Sequence, residues 1–262
     1  MHPILFTIGP ITVYSYGVML AAAVLVCTYL LSIDARRYNI SRETAYDLVF
    51  WCMLWGIIGA RIFYVFIEWP YFSANLLEIP MLQKGGLAWQ GGFLGGTLAG
   101  VWFVYRKKLS LRPLMDLAAP YVALGQSIGR IGCFLNGCCY GKPVSWGIYF
   151  PTHSARLYPT QLFEVIGLFI IFLILKKAQD RSFASLRMTS HRHSEPEGRR
   201  ILKPGFIFIL YLWLAAIERF IVEFYRADHD LLWGGLSLAQ YVALGVFAAG
   251  LVLMKVFKKG TL

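Results

Sequence analysis

"VYSYGVMLAAAVLVCTYLLSI", residues 13 to 33, runs for 21 positions without a charged side chain. At ~1.5 Å per residue this run covers a ~30 Å hydrocarbon core, so it reads as a membrane-spanning helix. Comparable runs recur at Leu48–Glu68, Leu87–Tyr105, Pro113–Leu135, Pro159–Leu175, Pro204–Phe224 and Ser237–Met254. The chain is 58% hydrophobic, 16% aromatic and only 15% charged over 262 residues, too apolar for a soluble domain of that length. The expected fold class is all-α: a polytopic integral membrane protein with seven transmembrane helices in one domain, residues 1–262.

Positive charge near span ends is retained in the cytoplasm, so the Lys and Arg pattern orients the chain. Eighteen of the 25 Lys and Arg fall in alternate connecting segments: Arg36, Arg37 and Arg42; Arg106 to Arg112; Lys176 to Lys203; and Lys255, Lys258 and Lys259. The opposite set holds Lys84, Lys142, Arg156 and Arg226. An odd number of spans then puts the N-terminus outside and the C-terminus in the cytoplasm. The start "MHPILFTIGPIT" has no basic region and no small-residue cleavage site, and is expected to be mature chain. The formal charge of +11 follows from this topology and from anionic lipid headgroups, with no nucleic-acid partner implied. Residues 178–200, "AQDRSFASLRMTSHRHSEPEGRR", are polar and rich in Ser and Arg, the composition of a disordered cytoplasmic loop. His191 and His193 in that loop lack supporting Cys or carboxylate ligands, and neither a metal nor a cofactor is expected.

Arg61, Arg130 and Arg219 fall inside spans, about 8–10 Å from the outer ends at ~1.5 Å per residue, and Tyr16 and Gln90 lie about one turn in. Each unpaired arginine at mid-bilayer costs roughly 2.5–3.5 kcal/mol, so these groups must face protein, water or an anion. Glu223 follows Arg219 by four residues on one helix face and can neutralise part of the charge. Glu218, Glu164 and Asp116 are the other span-associated acids, the last two near helix ends. The charge left over suits a phosphate, which in an outer leaflet means a phospholipid headgroup. Gly91/Gly95, Gly92/Gly96, Gly96/Gly100 and Gly125/Gly129 have the four-residue spacing that lets helix backbones approach closely. Gly85-Gly86 and Gly91-Gly92 flank Gln90 and offer backbone N–H groups to an anion.

"GRIGCFLNGCCYG", residues 129–141, is similar to the signature of the prolipoprotein diacylglyceryl transferases, G-R-x-G-N-F-x-N-x-E-x-x-G. It matches at Gly129, Arg130, Gly132, Phe134, Asn136 and Gly141. The resemblance extends in order along the chain: "VYSYG" with Tyr16, "GARIFYV" with Arg61, "DLAAP", "YPTQLFE" and "RFIVEFYR". It implies a single transmembrane transferase domain in a bacterial inner membrane, with a site open to the outer leaflet. The implied reaction moves the diacylglyceryl group of phosphatidylglycerol to the lipobox cysteine thiol of an exported prolipoprotein, releasing glycerol phosphate. Carried over to this chain, Arg130 and Arg219 hold the phosphate, Arg61 makes a structural or lipid contact, and Tyr16, Gln90, Asn136 and Gly141 position headgroup or thiol. Glu223 orients Arg219.

This chain departs from the signature where Cys133 and Cys138 replace Asn and Glu, and Gln90 stands where the family often has histidine. The family's proposed base is thus missing. A thiol of pKa ~8.5 is already partly ionised at neutral pH, nearby arginines lower it further, and Glu223 or water takes the proton. Cys27 and Cys52 read as small packing groups. For Cys133, Cys138 and Cys139 three readings stay open: a disulfide from Cys133 to Cys138 or Cys139, a redox-active pair, or small polar substitutes. Two rival functions use the same residues: a membrane thiol oxidoreductase and a lipid or anion transporter. Neither accounts for both the arginines and the ordered motifs.

Overall fold

A computed structural model describes residues 1–9, 11–82, 85–189, 202–227 and 232–259. Seven long helices fall on the seven apolar runs: α1 Ser15–Ala35, α2 Arg42–Ile67, α4 Trp89–Arg106, α5 Leu111–Asn136, α6 Thr160–Thr189, α7 Phe206–Glu223 and α8 Leu238–Lys259, with a short α3 at Trp69–Ala74. Among the described residues, α1 with the turn after it, α2 and α8 are long and apolar enough to cross a membrane. The other long helices carry the polar groups that matter below, such as Arg130 on α5, Glu164 on α6, and Glu218, Arg219 and Glu223 on α7.

Two small hairpins correct the all-α expectation. Strands β1 Ile4–Ile8 and β2 Ile11–Tyr14 pair antiparallel, as do β3 Pro143–Phe150 and β4 Ala155–Leu157. In "ILFTIGPITVY" two β-branched runs flank a Gly-Pro turn, the pattern of a hairpin, so Val13 and Tyr14 belong to β2 and the helix starts at Ser15. A second correction concerns the loop expected from residue 178. Helix α6 continues to Thr189, because Gln179 and Ser182 are buried and Gln179 Nε2 donates to the Asp116 carbonyl at 3.3 Å. The rest of that loop, with His191 and His193, lies outside the described residues.

The chain divides into two compact units, Ser32–Leu114 and the remainder, Met1–Leu31 with Met115–Leu262. In the unit Ser32–Leu114, Ser41 caps α2 by accepting from the Thr44 N–H at 3.1 Å. Helices α2 and α4 then touch backbone to backbone through glycine. A Cβ on Gly59 would lie 2.5 Å from the Gly91 carbonyl oxygen, and one on Gly96 3.2 Å from that of Cys52. This is the packing use expected of the four-residue spacing.

In the other unit an apolar core joins three helices: Ala119 and Ala123 of α5, Leu168, Ile171 and Leu175 of α6, and Ile207 and Tyr211 of α7. Asp116, only 4% exposed, fastens α5 to the start of α7. Its Oδ2 accepts from the Gly205 N–H at 2.6 Å and its Oδ1 from the Phe208 N–H at 3.0 Å, satisfying amide groups that a helix N-terminus leaves open. These contacts bring the far ends of α5, α6 and α7 together, and the polar residues converge there.

Candidate active site

Three guanidinium groups converge on one carboxylate. Glu164, on the second turn of α6, is 1% exposed. Its Oε2 lies 3.0 Å from Arg130 Nε on α5, and its Oε1 lies 2.9 Å from Arg219 Nη1 on α7 and 3.7 Å from Arg226 Nη1. Glu223, one turn after Arg219, completes the network. Its Oε2 is 2.6 Å from Arg219 Nη2 and 3.8 Å from Arg226 Nε, while its Oε1 accepts from the Ser237 hydroxyl at 2.7 Å. Both Glu223 oxygens are engaged, so the role of proton acceptor weighed for it is withdrawn.

Glu218 differs from its neighbours. It interacts electrostatically with Glu164, Arg130 and Arg219, and its buried Oε1, like Glu164 Oε2 and Glu223 Oε2, has no hydrogen-bond partner among the described residues; those two oxygens lie in ion pairs at 3.0 and 2.6 Å, whereas Glu218 Oε1 does not. Its stem packs on Gly167 of α6, where a Cβ would lie 3.0 Å from Glu218 Cγ.

The donors still open decide what each arginine can do. Arg130 meets Glu164 through Nε and is 25% exposed, and among the described residues its terminal amino groups make no hydrogen bond, which leaves them open to an anion. Arg219 uses Nη1 and Nη2 on the two carboxylates and is 28% exposed. Arg226, 9% exposed, is the buried brace of the set. A guanidinium fixed at one nitrogen with two donors free presents the planar fork that recognises phosphate.

The signature loop is locked around this centre. Helix α5 ends in a paired 5→2 and 6→1 cap: the Gly137 N–H donates to the Phe134 carbonyl at 3.2 Å and the Cys138 N–H to the Cys133 carbonyl at 3.2 Å. Gly137 takes the left-handed conformation this cap needs, φ 78°. The chain then threads between α6 and the end of α7. Gln161 Nε2 donates to the Cys138 carbonyl at 2.6 Å, Thr160 Oγ1 to the Cys139 carbonyl at 2.8 Å, and the Lys142 N–H to the Tyr225 carbonyl at 2.8 Å.

Comparison with known proteins follows the same residues. The profile of the family described as prolipoprotein diacylglyceryl transferase matches residues 3–256. The chain belongs to that family. The phosphatidylglycerol–prolipoprotein diacylglyceryl transferase of Staphylococcus xylosus is 31% identical over 270 residues, covering 97% of this chain and 88% of its own. The enzymes of the same name from Nostoc and Finegoldia magna are 34% and 32% identical, covering 95% and 99% of this chain and 87% and 97% of their own.

Within this family member, the other residues expected at the site separate into distinct groups. Tyr16 packs on α5, where a Cβ on Gly132 would lie 3.1 Å from its ring, and it interacts electrostatically with Arg130. Asn136 is exposed at the end of α5 and hydrogen-bonds Cys138. Gly141 is buried, and a Cβ there would lie 2.5 Å from Tyr158 Cβ and 2.6 Å from the Tyr225 carbonyl oxygen. It is a packing point with no space for a side chain. Gln90 stands exposed on the first turn of α4 in the unit Ser32–Leu114.

Of the two roles expected for Arg61, a structural or a lipid contact, its hydrogen bonds fit the structural one. Nε donates to the Ile79 carbonyl at 2.7 Å, Nη1 to those of Gly85 and Gly86 at 2.6 and 3.0 Å, and Nη2 to those of Glu78 and Met81 at 2.7 and 3.2 Å. All five guanidinium donors are engaged, and the group lies 5.2 Å from the Phe72 ring centre. Arg61 holds its own loop and has no donor left for a headgroup. The Gly85 and Gly86 carbonyls, rather than their amides, are what this loop contributes. The cavity beside it, about 390 Å³, also carries the carboxylates Glu68 and Glu78, which disfavour an anion.

The five cysteines are free thiols in this structure, and the sulfurs of Cys133, Cys138 and Cys139 lie within 4.8 Å of one another. Hydrogen bonds from the Cys133 and Cys138 thiols, with support from the Arg226 and Arg130 guanidinium groups, hold the Cys139 thiol well below the usual range.

Sequence reasoning named Arg130, Arg219 and Glu223 but missed Glu164 as the hub and Arg226 as a member. The local signals for Arg226 were its spacing, three residues beyond Glu223, and its place at the end of the motif RFIVEFYR.

Proposed function

We propose that this chain transfers the diacylglyceryl group of phosphatidylglycerol to the lipobox cysteine thiol of an exported prolipoprotein, forming a thioether and releasing glycerol phosphate. The observation that carries the reading is the open fork of Arg130, held on buried Glu164. As the acceptor thiolate attacks the glyceryl carbon, the carbon–oxygen bond to phosphate breaks and negative charge grows on the leaving phosphate. Donors already fixed in place stabilise that charge without reorganising, an effect worth roughly 10²–10³ in rate per donor. Arg219 adds the second cation, while Glu164, Glu223 and Arg226 keep the pair at fixed separation. Asn136 and Tyr16 border the same region and position headgroup or thiol. With Gln90 in place of histidine and Glu223 engaged, Glu218 accepts the thiol proton through its unpartnered oxygen.

The same reading takes the chain as one transmembrane transferase domain with seven spans, N-terminus outside and C-terminus in the cytoplasm, in a bacterial inner membrane. The asymmetry of Lys and Arg supports it, as does the convergence of polar groups at the ends of α5, α6 and α7 away from the Lys176–Lys203 segment. A fluorescent reporter fused after Leu262 should light up in the cytoplasm; fluorescence lost there and regained by an exported reporter reverses the orientation.

Purified protein with phosphatidylglycerol should add one diacylglyceryl mass to a lipobox peptide and nothing to its cysteine-to-serine counterpart. Arg130→Gln should lower the rate by roughly 10²-fold or more. Transfer by Arg130→Gln at the wild-type rate would sink the assignment.

A further inference from the structure

Three thiols meet where the signature loop leaves α5, and the transfer reaction has no use for them. The helix cap explains the meeting. In a paired 5→2 and 6→1 cap the third-from-last helical residue and the second residue past the end come together, and side chains at those two places usually touch. Here both are cysteines, Cys133 and Cys138, joined by the hydrogen bond from the Cys138 N–H to the Cys133 carbonyl at 3.2 Å. Cys139 follows in the left-handed conformation, φ 63°. The three sulfurs all lie within 4.8 Å of one another, with Cys133 buried and the other two partly open.

Three sulfurs around one tetrahedral ion at about 2.3 Å stand about 3.8 Å apart, so the observed cluster closes on an ion with small side-chain rotations. The donor set is all sulfur, which selects thiophilic cations over magnesium or calcium. The loop is also anchored beforehand, since the Cys138 and Cys139 carbonyls accept from Gln161 and Thr160. Three thiolates on a divalent ion make a complex of net charge −1, and Arg226 and Arg130 interact electrostatically with Cys139.

We infer that Cys133, Cys138 and Cys139 form a three-sulfur binding site for a thiophilic divalent cation of the zinc class, with the fourth coordination position open to water. Binding replaces three S–H bonds with three metal–sulfur bonds and releases three protons to the buffer. No electrons move. The three ligands are not the groups that hold the phosphate, although Arg130 neighbours both sites.

The test uses full-length purified protein in detergent, reduced with a phosphine and titrated with cadmium ion as the probe. The expected result is one cadmium per chain with a sulfur-to-cadmium charge-transfer band in the ultraviolet. Alkylation mapped by mass should show Cys133, Cys138 and Cys139 protected by the ion, and Cys27 and Cys52 unaffected. The triple variant Cys133→Ser/Cys138→Ser/Cys139→Ser should lose the band. Absence of the band in reduced wild-type protein, equal protection at all five cysteines, or a band that survives in the triple variant overturns the inference. The wild-type readouts decide the matter even if the variant fails to fold.

Discussion

Replacing Glu164 with Gln removes the charge that holds the three guanidinium groups together while keeping side-chain volume. Glu164 is 1% exposed and lies 3.0 and 2.9 Å from Arg130 and Arg219. Removing one partner of a buried ion pair costs about 3–5 kcal/mol, because it leaves a charge without compensation. Arg130 and Arg219 are 25% and 28% exposed, so solvent screens part of this and the expected cost is about 2–3 kcal/mol. The melting temperature should fall by about 5–10 °C in a chain of this size. The amide also turns a donor toward the guanidinium groups, and an anion then becomes the best replacement for the lost carboxylate.

Thermal unfolding in detergent, with phosphatidylglycerol or with a neutral diacylglycerol added, reads both effects. The variant should melt lower than wild type, and phosphatidylglycerol should raise its melting temperature more than it raises that of wild type. The neutral lipid should give no such difference. If Glu164→Gln melts with wild type, or if both lipids stabilise it equally, the guanidinium groups are not waiting for a phosphate and the site has been misread.

Arg61→Gln should release the backbone of residues 78–81 and 85–86, read as faster proteolytic cutting there, with an unchanged apparent affinity for phosphatidylglycerol. Arg61→Lys should not restore protection, because an ammonium has three donors where the loop uses five. Glu218→Gln should lower kcat by roughly 10²-fold with KM for lipid retained, and should abolish the acid limb of the pH–rate profile. An unchanged profile assigns the proton to another acceptor.

The seven long helices were legible because each lies on a long apolar run, and helix formation there needs little beyond local sequence. The first hairpin escaped because its residues are as apolar as a span, although Gly9 marked the turn. Arg219 and Glu223 were readable as a pair because four-residue spacing on a helix is a local fact. Glu164 could not be recognised as the hub, since its three partners come from α5, α7 and the turn after α7, and nothing local says that those ends meet. Arg226 looked like an ordinary outer-loop charge for the same reason, yet it pairs with Glu223 and its strand bridge to Gly141 draws it inward.

Arg61 and Arg130 show why depth alone cannot separate a ligand-binding arginine from a structural one. Both sit well inside apolar helices and both satisfy the cost of burial, so depth ranks them alike. What distinguishes them is how many donors their surroundings engage: five carbonyl contacts for Arg61, a single carboxylate contact at Nε for Arg130. Backbone outside regular α-helix, such as residues 78–81 and 85–86, presents open carbonyls, and an arginine beside it is drawn to them before any lipid arrives. Helix ends joined by side-chain carboxylates present few such carbonyls, so an arginine there is held at one edge and keeps its other edge for an incoming anion.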